Sequence, residues 1–193
     1  MKIREEREPM PLKPQYENVP LRAVNASFDP ETGIIQINLD KVTYGFVDQA
    51  VRYQDNQLQP TSELHITILS QDAPVLLKHL EDHPDDLNDI QDLVVSSAWT
   101  YLRQGQYYFV EEAPDVVAII ERVEVPELTQ FLRDVSKLVG KGLTLPPTHV
   151  TLYTLGTEKG IGMASQTEFD QKIKGPVQLE EMELLDNPPA PQA

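Results

Sequence analysis

The sequence predicts an α+β fold built on mixed or antiparallel sheet, and three observations carry that expectation. Stretches with the two-residue alternation of strands are interspersed with stretches at the three-to-four spacing of helices along all 193 residues. Few of them form the short regular βα repeats of a doubly wound parallel sheet, and no glycine-rich phosphate fingerprint follows a strand. No repeat of solenoid period is visible either.

The elements follow in order. Residues 1–25, opening MKIREEREPMPLKPQYENVP, space prolines through charged sequence and read as an extended arm. A single domain is expected over 26–186, and NPPAPQA (187–193) reads as a disordered tail. TGIIQINLD (32–40) predicts a strand, with Gly33 as a turn signal before it and Asp40 after. TYGFVDQAVRY (43–53) is ambiguous and leans to strand. SELHITILS (62–70) reads as a buried strand by its length and β-branched content. Asp72 then caps a helix with Pro74 in its first turn and Val75, Leu76 and Leu80 on one side. Leu87, Ile90, Val94, Ala98 and Tyr101 predict a longer helix ending at Gly105. QYYFVEE (106–112) and DVVAIIERVEV (115–125) return to strand character. Pro126 opens a helix whose stripe is Leu128, Phe131, Leu132, Val135 and Leu138, stopped at Gly140. After the loop KGLTLPP come the strand THVTLYTLG (148–156), the glycine-bearing loop EKGIGMAS and a closing strand VQLEEMELL (177–185).

Composition narrows the function classes. With 40% hydrophobic and 24% charged residues the bulk of the chain is expected to fold as an ordinary soluble protein. The absence of cysteine excludes a disulfide framework and thiolate metal sites and fits a cytoplasmic protein. The N-terminal stretch has no apolar core of a signal peptide, and the longest apolar runs, such as VVAII (116–120), are too short to cross a bilayer, so no membrane partner is expected. The net charge of −15 opposes binding to duplex nucleic acid, whose phosphates must be neutralised by Lys and Arg. A phosphorylated ligand is therefore expected to be a small molecule or a strand end.

Two stretches carry chemistry. ELHITILS (63–70) and PTHVTLYTLG (147–156) each hold a His-x-Thr inside an apolar strand. Alternation puts His65 and Thr67 on one face, with Ile66 and Ile68 behind; it likewise groups His149, Thr151 and Tyr153, with Val150 and Leu152 behind. Twelve threonines in the chain give a histidine roughly a 6% chance of a Thr two places on, so two such hits among four histidines arise by chance about 2% of the time. One such pair alone reads best as a satisfied core pair; two read as one site. Across a groove, one imidazole can take a proton from an attacking hydroxyl while the other gives one to a leaving oxygen. The threonine hydroxyls can hold non-bridging phosphate oxygens. No metal or cofactor is required.

On these motifs the chain resembles the two-histidine phosphoesterase superfamily, and HVTLYTLG is particularly similar to the second motif of its RNA 2′,3′-cyclic phosphodiesterase and RNA-repair-like branches. The resemblance implies two pseudo-symmetric lobes of mostly antiparallel sheet with flanking helices around a central cleft. It implies His65 and His149 as the acid/base pair and Thr67 and Thr151 as the phosphate-holding hydroxyls. The substrate would be a 2′,3′-cyclic phosphate, a cyclic nucleotide or a short oligonucleotide. The first motif starts later than is common in the family, behind some sixty residues.

Tyr153 stands on the expected active face, to stack on a base or order a phosphate, and is equally explained as a half-buried strand tyrosine. Lys159 follows the second motif and can reach a phosphate, with the solvated-loop reading the stronger one; Lys141 and Arg103 are weaker still. His79 and His83 have the spacing of a helical metal pair, but Pro84 biases His83 away from helix and no third ligand is specified, so no metal site is expected. Serines lie outside any nucleophile-elbow motif. The alternative to an enzyme is a non-catalytic module that holds a nucleotide or RNA end in the same groove; a third possibility is a structural domain in a larger assembly.

Overall fold

The computed structural model describes residues 19–158 and 160–185. The first 18 residues of the expected arm, the whole of the expected tail and Lys159 lie outside the described residues.

The fold is α+β, built on a strongly curled antiparallel sheet. Its strands are β1 (Leu21–Arg22), β2 (Asn25–Phe28), β3 (Ile35–Leu39), β4 (Val51–Tyr53), β5 (Asn56–Pro60), β6 (Leu64–Leu69), β7 (Thr100–Ala113), β8 (Val116–Glu124), β9 (His149–Leu155), β10 (Ile173–Val177) and β11 (Glu183–Leu184). The helices are α1 (Lys41–Tyr44), α2 (Ala73–Asp82), α3 (Asp86–Ser96), α4 (Leu128–Val139) and α5 (Gln166–Lys172). One arm of the sheet runs β2-β3-β6, the other β9-β8-β7 with β10 and β1 on the edge of β7. The arms meet where Ile66 of β6 pairs with Val150 of β9. β5 and β6 follow one another along the same edge of β9: Gln59 and Pro60 pair with Thr154 and Tyr153, and β6 takes over beyond a break at 61–63.

Alternation fixes which face is dry. In β3 and β6, Ile35, Ile37, Leu39, Leu64, Ile66 and Ile68 are buried, while Gln36, Asn38, His65 and Thr67 on the other face remain half-buried. The dry face meets Leu76 of α2, Ile90 and Val94 of α3, and the α4 stripe Leu128, Phe131, Leu132 and Val135 in one core. Each such side chain contributes about 1.5–3 kcal/mol by leaving water. A second, smaller cluster joins Val110, Ala118 and Ile120 to Ile161, Met163 and Phe169.

Several elements differ from expectation. The second predicted helix stops at Ser96, and Ala98 and Tyr101 share its spacing by coincidence. Trp99 instead donates its indole N–H to the Val94 carbonyl (2.8 Å) and the chain turns into β7. Gly105 sits inside β7 at φ +62°, where the pairing with β8 slips between Arg103 and Gln106; it marks an irregularity in a strand, not a helix end. The ambiguous 43–53 stretch divides into the end of α1 and β4. Asp40 caps α1 by accepting from the Thr43 amide (2.6 Å), and Gly45 closes it in the left-handed region at φ +72°. The expected closing strand is a 3-10 turn at Leu179–Glu181 between β10 and β11. Sequence alternation did not reveal β2, β5 or α5. The segment Leu21–Arg22, inside the expected arm, pairs with Tyr101 and Thr100.

Candidate active site

β6 and β9 bring the two His-x-Thr motifs together. Ile66 lies opposite Val150, and antiparallel continuation of that pair sets His65 across from Thr151 and Thr67 across from His149. All four side chains lie on the face turned away from Ile66 and Val150. Each imidazole thus stands beside the other motif's hydroxyl.

That arrangement depends on one irregularity in β9. Ile120 pairs with Thr151 and Ile119 with Tyr153, so Leu152 is an extra residue, a bulge that breaks the alternation. Thr151 falls on the side of Ile120, whereas Leu152 and Tyr153 both turn into the main core. The carbonyls at the bulge are satisfied by buried Thr61: its amide donates to the Leu152 carbonyl (3.0 Å), and its hydroxyl lies 3.3 Å from the Thr151 and Leu152 carbonyls. The expectation that Tyr153 shares a face with His149 and Thr151 is therefore corrected. Tyr153 is 2% exposed, donates to the Val47 carbonyl (2.9 Å) and packs on Phe46. Burial raises its phenol pKa, and it has no access to the motif face.

The two histidines differ in their surroundings. His149 Nδ1 lies 3.0 Å from the Pro147 carbonyl. The Nδ1–H donates there, and the neutral ring keeps its lone pair on Nε2. His65 Nδ1 is buried with no hydrogen-bond partner among the described residues. A buried N–H without an acceptor is costly, so the hydrogen bonding assigns the neutral His65 proton to Nε2. Burial depresses both rings below their ordinary 6.5. For His65 it outweighs the attraction of Glu63. For His149 burial is opposed first by the Pro147 carbonyl, then reinforced by His65; the Ile161 main chain opposes it and Arg122 reinforces it more weakly.

The threonines are not equivalent. Thr67 is half-buried, while Thr151 is 9% exposed because the segment 160–163 folds over it. Gly160 passes so close that a side chain there would collide with the Thr151 hydroxyl and Cβ. The segment is held down by Ile161 and Met163 in the smaller core cluster, by the Ala164 amide donating to Glu168 (2.8 Å), and by Lys172 donating to the Gly162 carbonyl (2.7 Å).

Register extends the face beyond the motifs. On one flank Arg122 of β8 lies opposite His149, and Gln106 of β7 lies opposite Arg122. Arg122 rests on the Phe169 ring (4.8 Å to the centroid), and no carboxylate among the described residues forms an ion pair with it. On the other flank Asn38 lies opposite His65 and Gln36 opposite Thr67, with Asn25 and Ser27 of β2 beyond. Sequence reasoning missed Arg122, Gln36, Asn38 and Thr61, since each owes its place to pairing with a distant strand.

The remaining candidates sit elsewhere. Arg103 is buried on the opposite face, its guanidinium bonded to fully buried Glu121 (2.6–3.1 Å), to the Tyr44 carbonyl and to the Tyr107 hydroxyl. Lys141 is exposed just after α4. His79 Nε2 lies 2.7 Å from the Asp86 carboxylate and its ring packs on His83, and no cluster of three or more His, Cys, Asp or Glu suited to a metal occurs among the described residues. No helix among them is long and apolar enough to cross a membrane. No protein-family model, curated protein or solved structure matches the chain, so its likeness to a known family rests on the residues of the two motifs.

Proposed function

We propose that the protein is a metal-independent phosphodiesterase that opens a 2′,3′-cyclic phosphate or cleaves a related small phosphodiester by two-histidine acid/base catalysis. The observation that carries this reading is the Ile66–Val150 register, with both His-x-Thr pairs on one face and each histidine beside the other motif's threonine. In the proposed reaction His149 Nε2 takes a proton from water as the water oxygen bonds to phosphorus. The bond from phosphorus to one ribose oxygen breaks, and protonated His65 gives that oxygen its Nε2 proton. The product is a nucleoside monophosphate, and one net proton has moved from His65 to His149. Thr67, with Arg122 nearby, would stabilise charge on the non-bridging oxygens. Thr151 would contribute from beneath the Gly160 strap. The absence of cysteine supports a cytoplasmic setting.

The test is turnover of nucleoside 2′,3′-cyclic phosphates and of short 2′-5′-linked and 3′-5′-linked oligonucleotides in EDTA, with wild type beside His65→Ala and His149→Ala. Each substitution should lower kcat by about 10²–10⁴-fold. Turnover that survives both would remove the site from consideration. Nucleotide binding without turnover would favour a holding module on the same face.

A further inference from the structure

The arm formed by β2, β3 and β6 carries a feature that the reaction itself does not use. Its open face has two ranks that lead away from the motifs: Asn25, Asn38 and His65 in one, Ser27, Gln36 and Thr67 in the other. None of the residues in these three strands is Asp, Glu, Lys or Arg. That is unusual on two counts. The chain holds 31 acidic residues, and among the described residues β2 pairs only with β3, which makes it an edge strand, the place where charged side chains, Lys above all, normally guard against association. Here the outward residues of the edge are Asn25 and Ser27, both exposed.

The amides are linked to one another. Gln36 donates to Asn38 (3.0 Å), and Asn38 donates to Asn25 (2.7 Å) and reaches the Ser27 hydroxyl (3.5 Å). Linkage holds the side chains in place yet leaves the row unsaturated at its ends, because each amide has two donor hydrogens and a two-lone-pair acceptor. In the observed sense, among the described residues, Gln36 keeps a free carbonyl and Asn25 a free amino group. A concerted turn of the three amides reverses the pattern without breaking the row. The ranks therefore offer paired donors and acceptors of either polarity, without charge, to a planar group with a donor–acceptor edge. Strand spacing sets Asn25 about 10 Å from the motif strand β6, a distance comparable with that between base and phosphate in one nucleotide.

We propose that the Asn25–Asn38–Gln36 row, with Ser27, is a recognition subsite for the base and sugar of a nucleotide whose phosphate lies between the two motifs. This rests on the phosphodiesterase reading above and makes a single nucleoside, rather than a second phosphate group, the part of the substrate held on the β2–β3 side. Absence of carboxylates there keeps an anionic ligand from being repelled, and absence of cations leaves the row with no preference for further phosphates.

The experiment compares kcat/KM for the four nucleoside 2′,3′-cyclic monophosphates and for base-free 1-O-methylribose 2′,3′-cyclic phosphate, in wild type, Asn38→Ala, Gln36→Ala and Gln36→Glu. Wild type should prefer the nucleotides over the base-free compound by tenfold or more. Each alanine variant should lose about tenfold on the nucleotides, one hydrogen bond's worth, while leaving the rate on the base-free compound as in wild type. Gln36→Glu should depress both substrates by bringing a carboxylate beside Thr67. Both positions are half-buried and outside the main core, and circular dichroism checks that each variant is folded. Equal turnover of nucleotide and base-free substrates by wild type would overturn the subsite while sustaining the reaction. Loss on both substrates alike in folded alanine variants would also overturn it. Failure of wild type to turn over any of the five would bring down the reaction and the subsite together.

Discussion

At the scale of single residues, the two imidazoles are tuned in the same direction for the same reason. Both are lowered by burial, and a positive charge on His65 further opposes protonation of His149. In the proposed reaction the reactive form carries one proton over the pair, on His65. Because both folded values lie below 6.5, that form is most populated on the acidic side of it. The kcat/KM profile should peak below pH 6.5 and fall on the alkaline limb as the pair loses its one proton; a maximum above about pH 7.5 would contradict this. Stability follows with its own sign. A histidine depressed on folding contributes fully above 6.5, and its contribution is lost as pH falls through the folded value. Acid unfolding should accordingly be milder in His65→Asn and His149→Asn than in wild type. Gly160 gives a second prediction at this scale. Gly160→Ala should push against Thr151 and cost about tenfold or more in turnover, whereas Gly162→Ala, whose Cβ would meet nothing within 4 Å, should leave it unchanged.

At the scale of elements, the motif strands were legible and their setting was not. His65 and Thr67 occupy the face that alternation assigns, because β6 alternates regularly from Leu64 to Ile68 and its own register shift against β3 comes only after Thr67. The same rule failed at Tyr153, since one extra residue in β9 is invisible to a period-two reading. Gly105 misled in a related way: a helix stop and a strand irregularity call for the same residue. Thr61 reads in sequence as a loop threonine, yet it satisfies both carbonyls of the bulge. Replacing it by valine, which matches its shape without the hydroxyl, should cost about 1–2 kcal/mol in chemical denaturation and lower turnover, through misplacement of His149 and Thr151. Behind the site, Glu121 lies between Ile120 and Arg122 on the dry side, and the Tyr44 hydroxyl donates to it (2.6 Å) while Arg103 grips it. This ties α1 to the centre of the β7–β8 pair. Glu121→Ala leaves the Arg103 charge buried and unpaired, so unfolding free energy should fall by about 3–5 kcal/mol. A double variant with Arg103→Met should recover part of that loss.

For the whole molecule, the α+β class followed from interspersed periods, and the curl of the sheet did not, because curl arises from how distant strands pair. The charge of −15 acts at this scale. The phosphorylated substrate of the proposed reaction would approach against a repulsive field that salt shortens from about 30 Å at 0.01 M to about 8 Å at 0.15 M. The association rate, read as kcat/KM, should therefore rise with salt over that range, opposite to the behaviour of a basic nucleic-acid enzyme. The bulge at Leu152 links this outer chemistry to the core in a way that no side chain does. Tyr153 and His149 belong to one strand, and a single surplus residue lets one be sealed in oil while the other meets solvent. The site is thus a matter of reading frame within the strand. Regular pairing straight through Leu152 would trade the faces of everything before it, sending His149 and Thr151 inward and Val150 out, whereas deleting Leu152 would keep Thr151 and Tyr153 on opposite faces as they are.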